Sequence, residues 1–189
     1  MRNSGISESK ELNPNYEISV EKTINTLNNL VNEGLLKQYA IGGGIAVLFY
    51  AEPILTYDLD VFCLLPREQD NLISLSPIYQ YLLEKGYKTE GEHIVIEDIP
   101  VQFIPVYNDL IEEALDKAAE VEYGGVKTRI VGLEYLLSIM LQTYRAKDRE
   151  RMLMLIDETQ IDMVKLQNIL KHHGLFNKYR EFRRRYDES

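Results

Sequence analysis

The chain has 189 residues, with 21 Lys and Arg against 30 Asp and Glu, a formal net charge of −9 and a single cysteine. That length can bury one core, or one domain with a helical appendage, and the acidic balance argues against broad contact with a nucleic-acid backbone, which wants a basic face. No run approaches the roughly 18 apolar residues of a membrane span, so no membrane contact is expected; the polar start Met1-Arg2-Asn3-Ser4-Gly5 has no signal-peptide character, and the lone Cys63 points to a reducing, cytoplasmic setting.

In chain order, residues 1–13 are polar and read as a disordered tail. Asn13-Pro14 resembles an N-cap followed by proline at the first helical position. Ile24, Leu27, Leu30 and Val31 then recur at helical spacing until Gly34. A short strand at 39–41 runs into three glycines, Gly42 to Gly44, and a short helix at 45–50 stops before Pro53. The apolar run 55–65 predicts the first long strand, and 72–85 a helix ended by Gly86. Strands follow at 87–90, 93–97 and 101–106, then a helix at 109–119 with Asp109 near its N-cap. Gly124-Gly125 divides a hairpin, 121–123 with 126–131. Beyond 132 the period is helical: 133–144, then 149–157 with Asp148 as cap, 163–172 with Asp162 as cap, and 175–184. The fold class expected is α+β, a small mixed β-sheet with flanking helices over 14–131 and a helical C-terminal region over 132–189. Arg180, Arg183, Arg184 and Arg185, with Tyr179 and Tyr186 interleaved, read either as a basic patch or as a solvated last turn with cations at its C-terminal end.

Two carboxylates, Asp58 and Asp60, interrupt the apolar run 55–65. In a strand, residues two apart share a face, so both acids project together while Leu59 and Val61 face the core. Paired carboxylates repel, and a hard cation between them, Mg²⁺ or Mn²⁺, relieves that repulsion. Without an ion, the same pair reads as a charged strand edge. Gly43 and Gly44 let a phosphate approach bare backbone at the start of a helix, or simply make a tight turn.

The stretch Ile41-Gly42-Gly43-Gly44-Ile45-Ala46-Val47 followed by Thr56-Tyr57-Asp58-Leu59-Asp60-Val61-Phe62 resembles the polymerase-beta-type nucleotidyltransferase superfamily, and in particular its small bacterial members related to minimal nucleotidyltransferases and abortive-infection toxins. The resemblance implies a nucleotidyltransferase fold and metal-dependent transfer of a nucleoside monophosphate from an NTP to a hydroxyl on a small molecule, a protein or an RNA end. It implies that Asp58 and Asp60 are catalytic metal ligands and that Gly43, Gly44 and Thr56 bind nucleotide. Thr56 also fits plain β-propensity. Many members carry serine where this chain has Gly44, so any phosphate contact there is through backbone. Members of this size often work beside a protein partner, as in toxin–antitoxin pairs.

The family's third acid falls on the neighbouring strand, at Gln102 here. Glutamine offers a carbonyl oxygen but cannot accept a proton as a base. An inactive nucleotide-binding or protein-interaction module is the alternative that follows. Glu97 and Asp98 precede the Pro100 turn, and a one-residue shift would reverse their face. The segment Arg145 to Arg149 resembles a basic Lys-Asp-Arg stretch of small members, which makes Lys147 and Arg149 nucleotide-binding candidates; the other reading is a helix junction with Asp148 as N-cap and its neighbours in water. His93, His172 and His173 show no zinc-ligand spacing with acids or cysteine. No P-loop or nucleophile-elbow pattern occurs.

Overall fold

The computed structural model describes residues 14–48, 50, 58–66 and 74–187. Thr56, the opening of the expected 55–65 strand, residues 72–73 of the expected helix and the expected tail 1–13 lie outside the described residues.

Helix α1 (Pro14–Asn32) leads to strand β1 (Gln38–Ile41), the short helix α2 (Gly43–Leu48) and strand β2 (Leu59–Leu64). Helix α3 (Ser76–Glu84) precedes β3 (Lys88–Glu90), β4 (His93–Ile96) and β5 (Ile99–Pro105). Helix α4 (Asp109–Asp116) and the hairpin β6 (Ala119–Tyr123) with β7 (Val126–Ile130) follow. Four helices close the described chain: α5 (Leu133–Thr143), α6 (Ala146–Glu158), α7 (Met163–His172) and α8 (Phe176–Asp187). The expected α+β class holds, with the helices after β7 and a mixed sheet before them.

The strands form one seven-stranded sheet in the order β3-β4-β5-β2-β1-β7-β6. β2 runs parallel to β5, and β1 parallel to β7; the other neighbours are antiparallel. β2 lies at the centre, and its residues from Leu59 to Cys63 are all buried. Such a strand reads as a continuous apolar run because both of its faces are covered. Leu59, Val61 and Cys63 pack in one core with Ile24 and Leu27 of α1 and Ile78 and Leu82 of α3. Phe62 packs in a second core with Leu110 of α4, Leu136 of α5 and the helices beyond. The aspartate face of β2 is therefore roofed by helices. This second core also spans both sides of position 131.

Helix α5 explains the roof. It is buried continuously from Leu133 to Leu141, and it packs against α2, α4, α6 and α7. A helix apolar around its whole circumference has to be surrounded, and truncating a buried leucine such as Leu136 costs about 2–5 kcal/mol. Its one buried acid, Glu134, is paired with Lys165 Nζ at 2.8 Å. Helix α4 begins at Asp109 as expected but stops at Asp116, short of the expected 119. Asp109 is its first residue, next to the N-cap Asn108, whose side-chain oxygen Oδ1 accepts from Ile111 N at 2.9 Å. Asp162 caps α7 as expected, accepting from Lys165 N.

Candidate active site

The site begins at the turn between β1 and α2. Gly42 N–H donates to Asp60 O at 2.8 Å, drawing the turn against β2. A Cβ on Gly42 would lie 2.2 Å from the Phe62 ring, and one on Gly43 would lie 1.8 Å from Asp60 Oδ2. Gly43 also has φ +57°, a conformation that side chains disfavour. Bare backbone at Gly43 thus makes room for the Asp60 carboxylate itself. Gly44 follows, buried in the first turn of α2.

The next strand completes the floor. Asp60 pairs in register with Gln102, and Leu59 with Val101. Gln102 is half-buried and lies on the same side as Asp60, toward the helices. Glu97 and Asp98 form the β4–β5 turn with φ of 50° and 68°. Glu97 accepts from Tyr87 OH at 3.0 Å and meets Lys22 of α1 at 3.9 Å, so it belongs to the opposite layer. Strand β5 and the turn before it bring no carboxylate beside Asp60.

A cavity of about 450 Å³ opens above this floor. Gly43, Asp60, Phe62 and Gln102 line one side; Leu136, Ile139, Met140 and Thr143 of α5, with Arg145, Asp148 and Arg151, line the other. Tyr107, 57% exposed, stands at its rim. The volume suits a small-molecule ligand. A larger hollow of about 560 Å³ at the β3–β4 edge includes none of Gly43, Asp60 or Gln102.

Asp60 is only 9% exposed. Burial pushes its carboxyl above the usual carboxylate range, and the negative charge of Asp58 pushes it further; Lys147, Arg145 and Arg151 pull it back. The pair expected from sequence is thus an electrostatically coupled pair, with three cations from the α5–α6 junction acting on it. Arg145, which opens the basic segment singled out from sequence, and Arg151, which the sequence did not single out, both line the cavity.

The α5–α6 junction differs from expectation. Helix α6 starts at Ala146 with Arg145 as N-cap, and Asp148 stands at the third helical position of a capping box. Asp148 is buried, where desolvation alone would raise its pKa. The Arg145 guanidinium, at 2.8 and 3.2 Å, the Thr143 hydroxyl at 2.8 Å and the Arg145 N–H hold it below the usual range instead. Asp148 therefore anchors Arg145 at the cavity wall. Lys147 is exposed and acts on Asp60 through its charge. Arg149 turns away: it donates to Tyr144 O at 3.1 Å and lies over the Tyr144 ring.

The donor set fits a hard divalent cation. Two coupled carboxylates and a glutamine carbonyl are oxygen ligands, and a carboxylate buried beside a like charge is stabilised by a cation.

No family model matches this chain, and no curated protein matches it. Among solved structures, the fold is similar to an antigenic nucleotidyltransferase-like protein from Paracoccidioides brasiliensis, with 13% identity over 82% of this chain and 87% of that chain, at a TM-score of 0.53. It also aligns with two structures of ANT(2'')-Ia, each with 16% identity and a TM-score of 0.46. One, in complex with adenylyl-2''-tobramycin, is matched over 89% of this chain and 99% of that chain; the other, a solution structure, over 91% and 95%. The chain has a nucleotidyltransferase-like α+β fold.

Proposed function

We propose that this cavity is the active site of a nucleotidyltransferase, which binds an NTP with Mg²⁺ or Mn²⁺ and transfers a nucleoside monophosphate to a hydroxyl acceptor. The observation that carries the reading is Asp60: a carboxylate 9% exposed, seated on the bare backbone of Gly43, in register with Gln102 and coupled to Asp58. Asp58 and Asp60 would hold the metal, which when bound neutralises phosphate charge and favours in-line displacement. Gly43 and Gly44 offer backbone to the phosphates. Arg145, Lys147 and Arg151 supply the positive charge that a triphosphate needs. The Tyr107 ring and the apolar wall of Ile139 and Met140 offer a base a face to stack on and a surface to pack against. Thr56 enters on resemblance alone. Arg149, stacked on Tyr144, would act on the junction instead of on the nucleotide.

Gln102 supports a second reading, in which the cleft holds a nucleotide without turnover. The position is the in-register neighbour of Asp60, and a glutamine there accepts no proton. Transfer of label from an alpha-labelled NTP distinguishes the two. The acceptor, whether a small molecule, a protein or an RNA end, belongs to the proposal on resemblance, as does a protein partner of the toxin–antitoxin kind. A cytoplasmic setting rests on Cys63, which is buried and free.

The test is thermal unfolding of wild type and Asp58→Asn/Asp60→Asn with Mg²⁺ and each of the four NTPs, since a ligand bound only by the native state raises its apparent stability. A nucleotide shift that needs Mg²⁺ and disappears in the double variant is the expected result. A shift of equal size in the double variant would move the site away from the aspartates.

A further inference from the structure

Two adjacent histidines close helix α7: His172 is its last residue and His173 its C-cap. Their rings stand edge to face, 4.7 Å apart. Helix α4, far away in sequence, brings Glu113 beside them. His173 Nε2 and Glu113 Oε2 are 2.7 Å apart, the ring N–H donating to the carboxylate. One ligating atom from each of Glu113, His172 and His173 lies within 4.8 Å of the other two. None of the three lines the cavity around Asp60.

We propose that Glu113, His172 and His173 form a binding site for one divalent transition-metal ion, zinc by ligand type, which ties helix α7 to helix α4. Two imidazoles and one carboxylate are the donors that zinc takes, and three protein ligands leave at least one position for water. Imidazole nitrogen selects zinc and its first-row neighbours over magnesium, so this site and the aspartate pair differ in the ions they take. Bonds of about 2.0 Å in a tetrahedron separate neighbouring ligand atoms by roughly 3.3 Å. The Glu113–His173 contact opens slightly to reach that spacing, His172 closes in, and the ion replaces the proton shared across the hydrogen bond.

Much of the set is already held. The His173 side chain is 8% exposed. Tyr135 OH on α5 donates to the other carboxylate oxygen, Glu113 Oε1, at 2.8 Å. A carboxylate fixed in this way by an outer partner is the usual support for a metal ligand. His172 is exposed and swings without repacking the core.

The experiment is calorimetric titration of tag-free, chelator-stripped, full-length protein with ZnCl₂, and with CoCl₂ followed by its visible spectrum. The variants are His172→Ala, which removes an exposed side chain and leaves the fold undisturbed, Glu113→Gln, and Asp58→Asn/Asp60→Asn. We expect one Zn²⁺ per chain, affinity lower by more than about tenfold in His172→Ala and in Glu113→Gln, and no change in the double aspartate variant. Excess Mg²⁺ does not compete. Wild type that takes up no stoichiometric zinc overturns the proposal. So does His172→Ala binding as tightly as wild type, or zinc binding that disappears with Asp58 and Asp60.

Discussion

Asp60 and Asp148 are both buried and both line one cavity, yet their environments push them in opposite directions. On Asp60, burial and the like charge of Asp58 act first, and three cations oppose them through space. On Asp148, direct hydrogen bonds from Arg145 and Thr143 overcome burial. The difference teaches that burial alone does not mark a functional carboxylate. A carboxylate whose hydrogen bonds hold it ionised is already serving the structure. One raised by burial and a like charge is energetically prepared for a cation.

The largest effect is expected where the Asp60 environment is removed. In Gly43→Ala, a Cβ 1.8 Å from Oδ2, and 2.8 Å from the Asp60 Cβ, displaces both side chain and strand, and a non-glycine residue is strained at φ +57°. We expect a loss of about 3 kcal/mol or more in stability and no Mg²⁺-dependent nucleotide shift. Wild-type stability measured by urea unfolding would show that the turn yields more easily than its packing implies.

Next in size is Asp148→Asn. The charge-assisted hydrogen bonds weaken, and because the Arg145 side chain is more than half exposed the cost is discounted to about 2 kcal/mol. For a chain of this length that is roughly 4–8 °C in Tm. Magnesium dependence of nucleotide binding should survive, since Asp148 is the anchor of Arg145 and stands apart from the Asp58–Asp60 pair in this reading. If Mg²⁺ dependence vanished with Asp148 while Asp60→Asn retained it, the roles of the two carboxylates would have to be exchanged.

What the sequence revealed follows from how local each signal is. Asp58, Asp60 and the glycine turn are legible because period-two spacing and a glycine run need no tertiary knowledge. Gln102 enters through the resemblance, which puts the third acid on the neighbouring strand, and in the fold that residue is the in-register neighbour of Asp60. The expectation that Asp148 caps α6 failed by one turn. An acid suits both a cap and the third position of a capping box, and the Arg145 N–H to Asp148 Oδ2 bond at 3.0 Å distinguishes them. Arg145 and Arg151 entered the cavity wall through the packing of α6 on α5, which no periodicity encodes. The same holds for Glu113 and His173, 60 residues apart and joined only by the meeting of α4 and α7. The histidine pair was visible; its carboxylate was not.

The smallest effect is in the pH dependence of unfolding without ligand, and it tests the comparison most directly. The native pKa of Asp60 lies above the ordinary aspartate value of 3.8. Between 3.8 and the raised value, the native state therefore holds a proton that the unfolded chain has released. Stability from this group is present below that window and is lost as pH rises through it. Asp148 has the opposite sign. Its native pKa lies below 3.8, so its contribution is present above 3.8 and is lost as pH falls toward the native value. On acidification from neutrality, Asp60 first adds stability and Asp148 then removes it. Tm against pH for wild type, Asp60→Asn and Asp148→Asn should separate the two limbs. Asp60→Asn removes the rise above 3.8 and is more stable than wild type near neutrality, because a buried charge beside Asp58 is gone. Asp148→Asn removes the fall below 3.8. A wild-type minus Asp60→Asn difference that stays constant with pH would mean that Asp60 is as well satisfied as Asp148, and the physical case for a cation at the aspartate pair would go with it.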